Sequence, residues 1–361
     1  MRSCNLQDFR RKPIFFFVLI TLGYFFCTPS PAKEDTELTK LAEGIFAVIV
    51  NPDGNAVSNS GIVVLDRSVM VFDTHFTPAA GQALLAEIRS ITPKPVRYAI
   101  NSHSHADHTH GNQAFPDAQL IGSTNARRDV LQSDMPSLNR AIGIAQSQLA
   151  KLRQEMSTET NSAQIQRFRA QIKSREDYLQ TVSQLKIIAP FVTLDDGMKI
   201  QDGKLEARIL FLGAGHTDGD IVLFLPSQKI VFAGDLFFNQ AIPNVQDASV
   251  LQWMKTIEEV LKLDADTFVP GHGPIGSRKD VEGFLNYFRE LKSMVEPAVS
   301  RGDSMEQATK EIGMPVKYSS YRFQNFFPSN VQKMYAELKA MQLSSAPADS
   351  SKKPGTEKPA K

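Results

Sequence analysis

The chain alternates between two kinds of patterning. Residues 44–50 (GIFAVIV), 61–66 (GIVVLD) and 68–73 (SVMVFD) are short, β-branched and apolar, separated by turn formers such as NPDGN, and they predict a meander of strands. Residues 78–90 place Leu84, Leu85 and Ile88 at helical spacing, and PVRYAI (95–100) then reads as a buried strand running straight into a polar, histidine-rich stretch. From 127 to 185 the pattern changes. Ile165, Phe168 and Ile172 recur three and four residues apart, as do Tyr178, Val182 and Leu185, with Gln, Arg, Lys and Glu between them, which predicts long amphipathic helices. Strand signals resume at 191–194, 205–213, 220–226 and 229–235. A helix over 249–261, a short strand over 267–271 and further helices to 340 complete the pattern.

Two strand-rich blocks, each followed by helices, predict an α/β fold with sheets packed face to face and helices outside. No sequence repeat accompanies this architectural one. The expected organisation is an N-terminal export signal (1–32), a polar leader (33–43), a main domain (44–290) interrupted by a helical insertion (127–185), a C-terminal helical extension (291–341) and a tail (342–361). The tail has too few apolar side chains to offset its ordering entropy and is expected to be disordered.

Residues 1–32 carry Arg10, Arg11 and Lys12 ahead of the apolar run 13–27, and end in the small-residue sequence Ser30-Pro31-Ala32. This predicts export to a bacterial periplasm or the extracellular space with cleavage after Ala32, or membrane anchoring if the segment stays attached. Both cysteines, Cys4 and Cys27, lie in it, so the mature chain would use neither disulfides nor thiolate ligands. A net charge of +1 across 361 residues gives no basic excess and excludes nucleic acid as an expected partner.

Four of the seven histidines (His103, His105, His108 and His110) fall within NSHSHADHTHGN (101–112), together with Asp107. Imidazole and carboxylate at a strand end suit zinc and similar divalent metals. His216 in LGAGHTDGD, Asp235 in VFAGD and His272 in VPGHGP each follow an apolar strand-like segment and are flanked by glycine. In pattern and order these residues resemble the metallo-β-lactamase fold superfamily of metallohydrolases, over about residues 44–276.

The resemblance implies a four-layer αββα sandwich and two metal ions, zinc in the first instance, with iron or manganese also accepted by such ligands. It implies that His103, His105 and His216 hold one ion, that Asp107, His108 and His272 hold the other, and that Asp235 bridges them. It implies a hydrolase whose nucleophile is a hydroxide between the metals, with Asp107 orienting it. Asp73 matches the family's structural aspartate, and His75 and His110 are expected to support the ligands or touch substrate.

Within the family, class B1 lactamases carry cysteine where this chain has Asp235, so the bridging aspartate is more similar to glyoxalase II and lactonases. Acyl-homoserine lactonases place a tyrosine where Phe238 stands, and the basic C-terminal pattern of glyoxalase II is missing. The phrases DHTHGN and VFAGDLFFN, with NVQKMYAEL (330–338) near the C-terminus, resemble exported lactamase-like hydrolases. The expected substrate is a small ester, thioester, lactone or amide. Alternatives are β-lactam hydrolysis, iron-dependent redox chemistry on the same fold, and a metal-stabilised interaction protein that binds a protein partner through the 127–185 helices.

Overall fold

A computed structural model describes residues 36–51 and 56–345; the expected export signal lies outside them, as does the tail beyond Ser345. The first sheet holds seven strands in sequence order: β1 (Thr36–Ala42), β2 (Ile45–Val50), β3 (Ser60–Val64), β4 (Val69–Phe72), β5 (Val96–Ile100), β6 (Gln119–Ser123) and β7 (Val192–Leu194). Neighbours are antiparallel as far as β4 and parallel from there to β7. The second sheet holds β8 (Gly197–Asp202), β9 (Leu205–Phe211), β10 (Ile221–Leu225), β11 (Ile230–Phe238), β12 (Thr267–His272) and β13 (Gly276–Ser277), with β13 and β8 at its edges.

Strand alternation assigns each side chain to a layer. In β4, Met70 and Phe72 enter the core between the sheets, while Val69 and Val71 pack outward against Leu84 and Ile88 of helix α1 (Pro78–Ile91). In β11, Ile230 and Phe232 point into the same inter-sheet core and Val231 and Ala233 point to the opposite helical layer. Phe232 lies so close over β3 that a Cβ on Gly61 would come within 2.5 Å of its ring, so glycine is needed there for the sheets to approach. The result is the expected αββα sandwich.

Three expected boundaries differ. The supposed polar leader supplies β1, an edge strand whose Leu38 and Leu41 pack on the core while Glu37 and Lys40 face solvent. Charged residues on an edge strand discourage pairing with other chains, and they also hide the strand's pattern. No break occurs near residue 291 either. After the four-residue α2 (Ala106–Thr109), α3 (Thr124–Asp129), α4 (Met135–Thr158), α5 (Ser162–Ser183) and α6 (Val250–Val260), helix α7 (Arg278–Arg301) runs through that point, followed by α8 (Met305–Glu311) and α9 (Phe327–Ser345). Helices α6 to α9 share one buried cluster with β10 and β11, so the extension is the sandwich's outer layer. Residues 342–345, expected in the tail, continue α9.

The insertion leaves β6 through α3 and a π-turn (Val130–Asp134), then forms the antiparallel-packed α4 and α5. In those two helices only Ala145, Leu149 and Ile172 are buried. Among the described residues no helix is long and apolar enough to cross a membrane.

Candidate metal centre

The site lies where strands end. His103 and His105 leave β5, Asp107 and His108 sit on α2, His216 is on the loop between β9 and β10, and His272 closes β12. Asp235 lies within β11 rather than at its end, next to Gly234, where the pairing with β12 shifts register. Gly234 has φ +51°, and a Cβ there would come 2.5 Å from the Ser102 side chain; a Cβ on Gly271 would strike the Asp235 carboxylate at 1.9 Å. Glycine at both points lets the backbone crowd the carboxylate.

The seven residues form two groups of donor atoms, His103, His105, His216 and Asp235 in one and Asp107, His108 and His272 in the other, with all donors of a group within 4.8 Å of one another. Asp235 belongs to both by distance. Its Oδ2 lies 3.2 Å from His216 Nε2 and 3.9 Å from His103 Nε2, and its Oδ1 lies 3.2 Å from His108 Nε2 and 3.4 Å from His272 Nε2. His272 Nε2 is also 3.3 Å from Asp107 Oδ2, and His105 Nδ1 is 2.9 Å from His216 Nε2. Bonds of about 2.0–2.1 Å to a tetrahedral zinc imply donor separations of about 3.3 Å, which these distances bracket. His103 Nε2, His108 Nε2 and Asp235 Oδ1 are buried and make no hydrogen bond, an arrangement costly for polar atoms unless a cation takes their lone pairs. The residues fit a pair of divalent ions.

Outward-facing nitrogens fix the tautomers. His108 Nδ1–H donates to Asp73 Oδ2 at 2.7 Å, and His216 Nδ1–H donates to the Asn244 carbonyl at 3.0 Å. His105 Nε2–H donates to Asp247 Oδ2 at 3.0 Å. Each bond leaves the other ring nitrogen with its lone pair directed inward. Asp73 has φ +59° and also accepts the Ser102 N–H at 2.7 Å, joining the end of β4 to the strand end that carries the histidines.

The charges are mutually adjusted. Burial opposes ionisation of Asp235, but His272, His108 and His216 hold its carboxyl well below the usual range, and His108 and His272 do the same for Asp107. Burial lowers His216 to about 3, whereas Asp235 and Asp107 outweigh burial at His272 and raise it to about 9.

Other expected site residues sit further out. His75, with φ +71°, pairs through Nδ1 with the Ser58 carbonyl at 2.8 Å and is lowered to about 4 by burial. Ser58 in turn donates to the Asp107 carbonyl, so His75 braces a brace. The polar partner of His110 is Asp134, 3.0 Å away on the π-turn, and its ring stacks on Phe76 at 5.8 Å. Phe238 stacks on His272 with centroids 5.1 Å apart. Two acids escape sequence reasoning. Asp247 sits in a loop without a motif, and buried Asp220, pushed up to about 7 by burial, folds the His216 loop by accepting from Thr217 N and Oγ1. The spacing of Asp220 within GHTDGD is the only signal that could have marked it.

Comparison with known proteins agrees with this geometry. The chain is 21% identical over 269 residues to a linear primary-alkylsulfatase of Pseudomonas sp., covering 71% of this chain and 50% of that protein. It is 34% identical over 94 residues to a metallo-beta-lactamase type 2 of Bacillus cereus, covering 25% of this chain and 37% of that one, so it spans half or less of the length of these relatives. A solved metallo-beta-lactamase from Pontibacter korlensis superposes with a TM-score of 0.52 at 19% identity, over 70% of this chain and 99% of that one, which shows the shared fold. The model of the metallo-beta-lactamase superfamily matches residues 53–272, most of both sheets and all seven converging side chains, and the chain belongs to that superfamily.

Proposed function

We propose that the protein is a dinuclear metal-dependent hydrolase, most simply a zinc enzyme, acting on a small ester, thioester, lactone or amide. The observation that carries this is Asp235, which turns one carboxylate oxygen toward each donor group. His103, His105 and His216 would hold one ion and Asp107, His108 and His272 the other, with Asp235 shared. Bound there, the metals would supply Lewis acidity and a water of lowered pKa, so no serine or cysteine nucleophile is needed.

The chain's own groups divide the remaining work. Asp107 keeps its side chain 20% exposed, the more open of the two metal-facing carboxylates, and so stands where it can orient water and carry a proton to a leaving group. Asp73, Asn244 and Asp247 hold three imidazoles in the tautomers that coordination requires. Phe238 offers no hydroxyl, which weighs against a lactonase that uses a donor at that position. The relative named an alkylsulfatase extends the candidate substrates to sulfate esters. The composition of residues 1–32 supports export.

The test is metal analysis of the protein with a substrate panel of carboxylic, thio-, lactone and sulfate esters, an amide and a β-lactam. Two zinc ions per chain are expected, with turnover reduced on the order of a thousandfold by Asp235→Asn. One iron per chain with oxygen consumption would sink the proposal.

A further inference from the structure

Helix α8 and helix α9 are joined by a segment that returns to the metal centre. Arg322 N–H donates to the Gln240 carbonyl at 3.0 Å and Ile242 N–H donates to the Arg322 carbonyl at 2.9 Å, a parallel bridge to the chain leaving β11. This clamp presents Phe323. The ring lies edge-to-face on His272 with centroids 5.6 Å apart, while Phe238 stacks on the same imidazole at 5.1 Å.

Phe323 is held at φ +59°, ψ +33°, a left-handed conformation that a bulky side chain rarely adopts. Several contacts enforce it. The Phe326 N–H donates to its carbonyl at 2.9 Å, the Gln324 side-chain amide donates to the Ser319 and Tyr321 carbonyls, and the Arg322 guanidinium lies 4.8 Å over its ring. Such strain persists only where the surroundings over-determine it. The ring is half-buried: it packs against the outer helical cluster on one side and keeps part of its surface exposed. It also lies outside residues 53–272, the part of the chain matched by the superfamily.

We infer that Phe323 is a specificity-determining residue: it forms an apolar wall beside the Asp107–His108–His272 metal position and selects substrates that carry an alkyl chain or aromatic ring next to the bond cleaved. This rests on the hydrolase reading above. A polar or very small substituent would leave the ring's apolar surface wet, whereas each methylene laid against it is removed from water.

The experiment uses the metal-replete full chain and two kinds of probe. With p-nitrophenyl acetate and octanoate, Phe323→Ala should lower kcat/KM for octanoate about tenfold, mainly through KM, while leaving acetate within about twofold, and Phe323→Leu should restore most of the loss. Binding of acetate and decanoate, followed by calorimetry, should show the same split without any turnover: decanoate weakened about tenfold by Phe323→Ala, acetate unchanged. Equal effects on short and long probes, with two metals still bound, would overturn the inference. If no substrate turns over but decanoate binding keeps its dependence on Phe323, the apolar wall stands and the hydrolase reading falls.

Discussion

The sandwich around the metal centre and the α4–α5 insertion are built on opposite principles. In the sandwich, residues far apart in sequence determine one another's positions: Phe232 fits over Gly61, and His105 meets His216 across 111 positions. The insertion packs chiefly on itself, with three buried side chains in two long helices. It is fastened to the body at its root by polar contacts, the Arg128–Asp218 ion pair and the Asp134–His110 hydrogen bond. The donors reside where the neighbours are over-determined, and the insertion reaches them only through these contacts at its root.

Matched substitutions can break that contrast. Phe232→Ala, in the core between the sheets, should cost about 3–5 kcal/mol in denaturant unfolding, and Leu149→Ala in the insertion less than about 1 kcal/mol, because the insertion opens locally before the whole unfolds. Equal costs would show that insertion and body unfold as one. The next effect is on metal binding. Asp247→Asn should weaken zinc affinity about tenfold in competition with a chelating dye, since the partner that orients His105 becomes a poorer acceptor. Arg128→Ala, which loosens the root of the insertion, should change that affinity by less than about threefold.

Helix caps give the smallest test. The backbone N–H of Ser277, and after it the Ser277 hydroxyl, lower the pKa of Asp280 in the α7 capping box. A depressed carboxyl pKa contributes stability that is present above the unfolded value near 4 and is lost as pH falls through the folded one. Asp280→Ala should therefore cost about 1 kcal/mol or less at neutral pH and nothing once both forms are protonated, read as Tm against pH. Asn161→Ala, removing the N-cap side chain of α5, should leave Tm unchanged and raise amide exchange only in the insertion.

The sandwich and the seven donors were legible because each rests on a local pattern. A buried strand must be apolar, and each donor lies within such a strand or a few residues beyond it, so strand and chemistry are close together in the sequence. Asp247 was not legible, since it reaches His105 across 142 positions and no pattern in its own loop marks it. β1 and β8 were obscured by the exposed positions that edge strands carry. The boundary expected at 291 failed for a related reason: an amphipathic helix announces that it is buried but not against what, and α7 is buried against the sheet that holds Asp235. Phe323 carries no signature at all, because its conformation is imposed by a backbone bridge to residues 240–242.

Each donor group draws on both halves of the chain, His103 and His105 with His216 and Asp235 in one, Asp107 and His108 with His272 in the other. An ion in either place is then a cross-link between the two sheets as well as a reagent. By mass action, an ion present at a hundred times its dissociation constant adds about 2.7 kcal/mol to folding, as much as a modest disulfide in a mature chain expected to have none. Metal supply would thus bear on how long the molecule lasts as well as on whether it works, since a site that empties loses its chemistry and its share of the stability together.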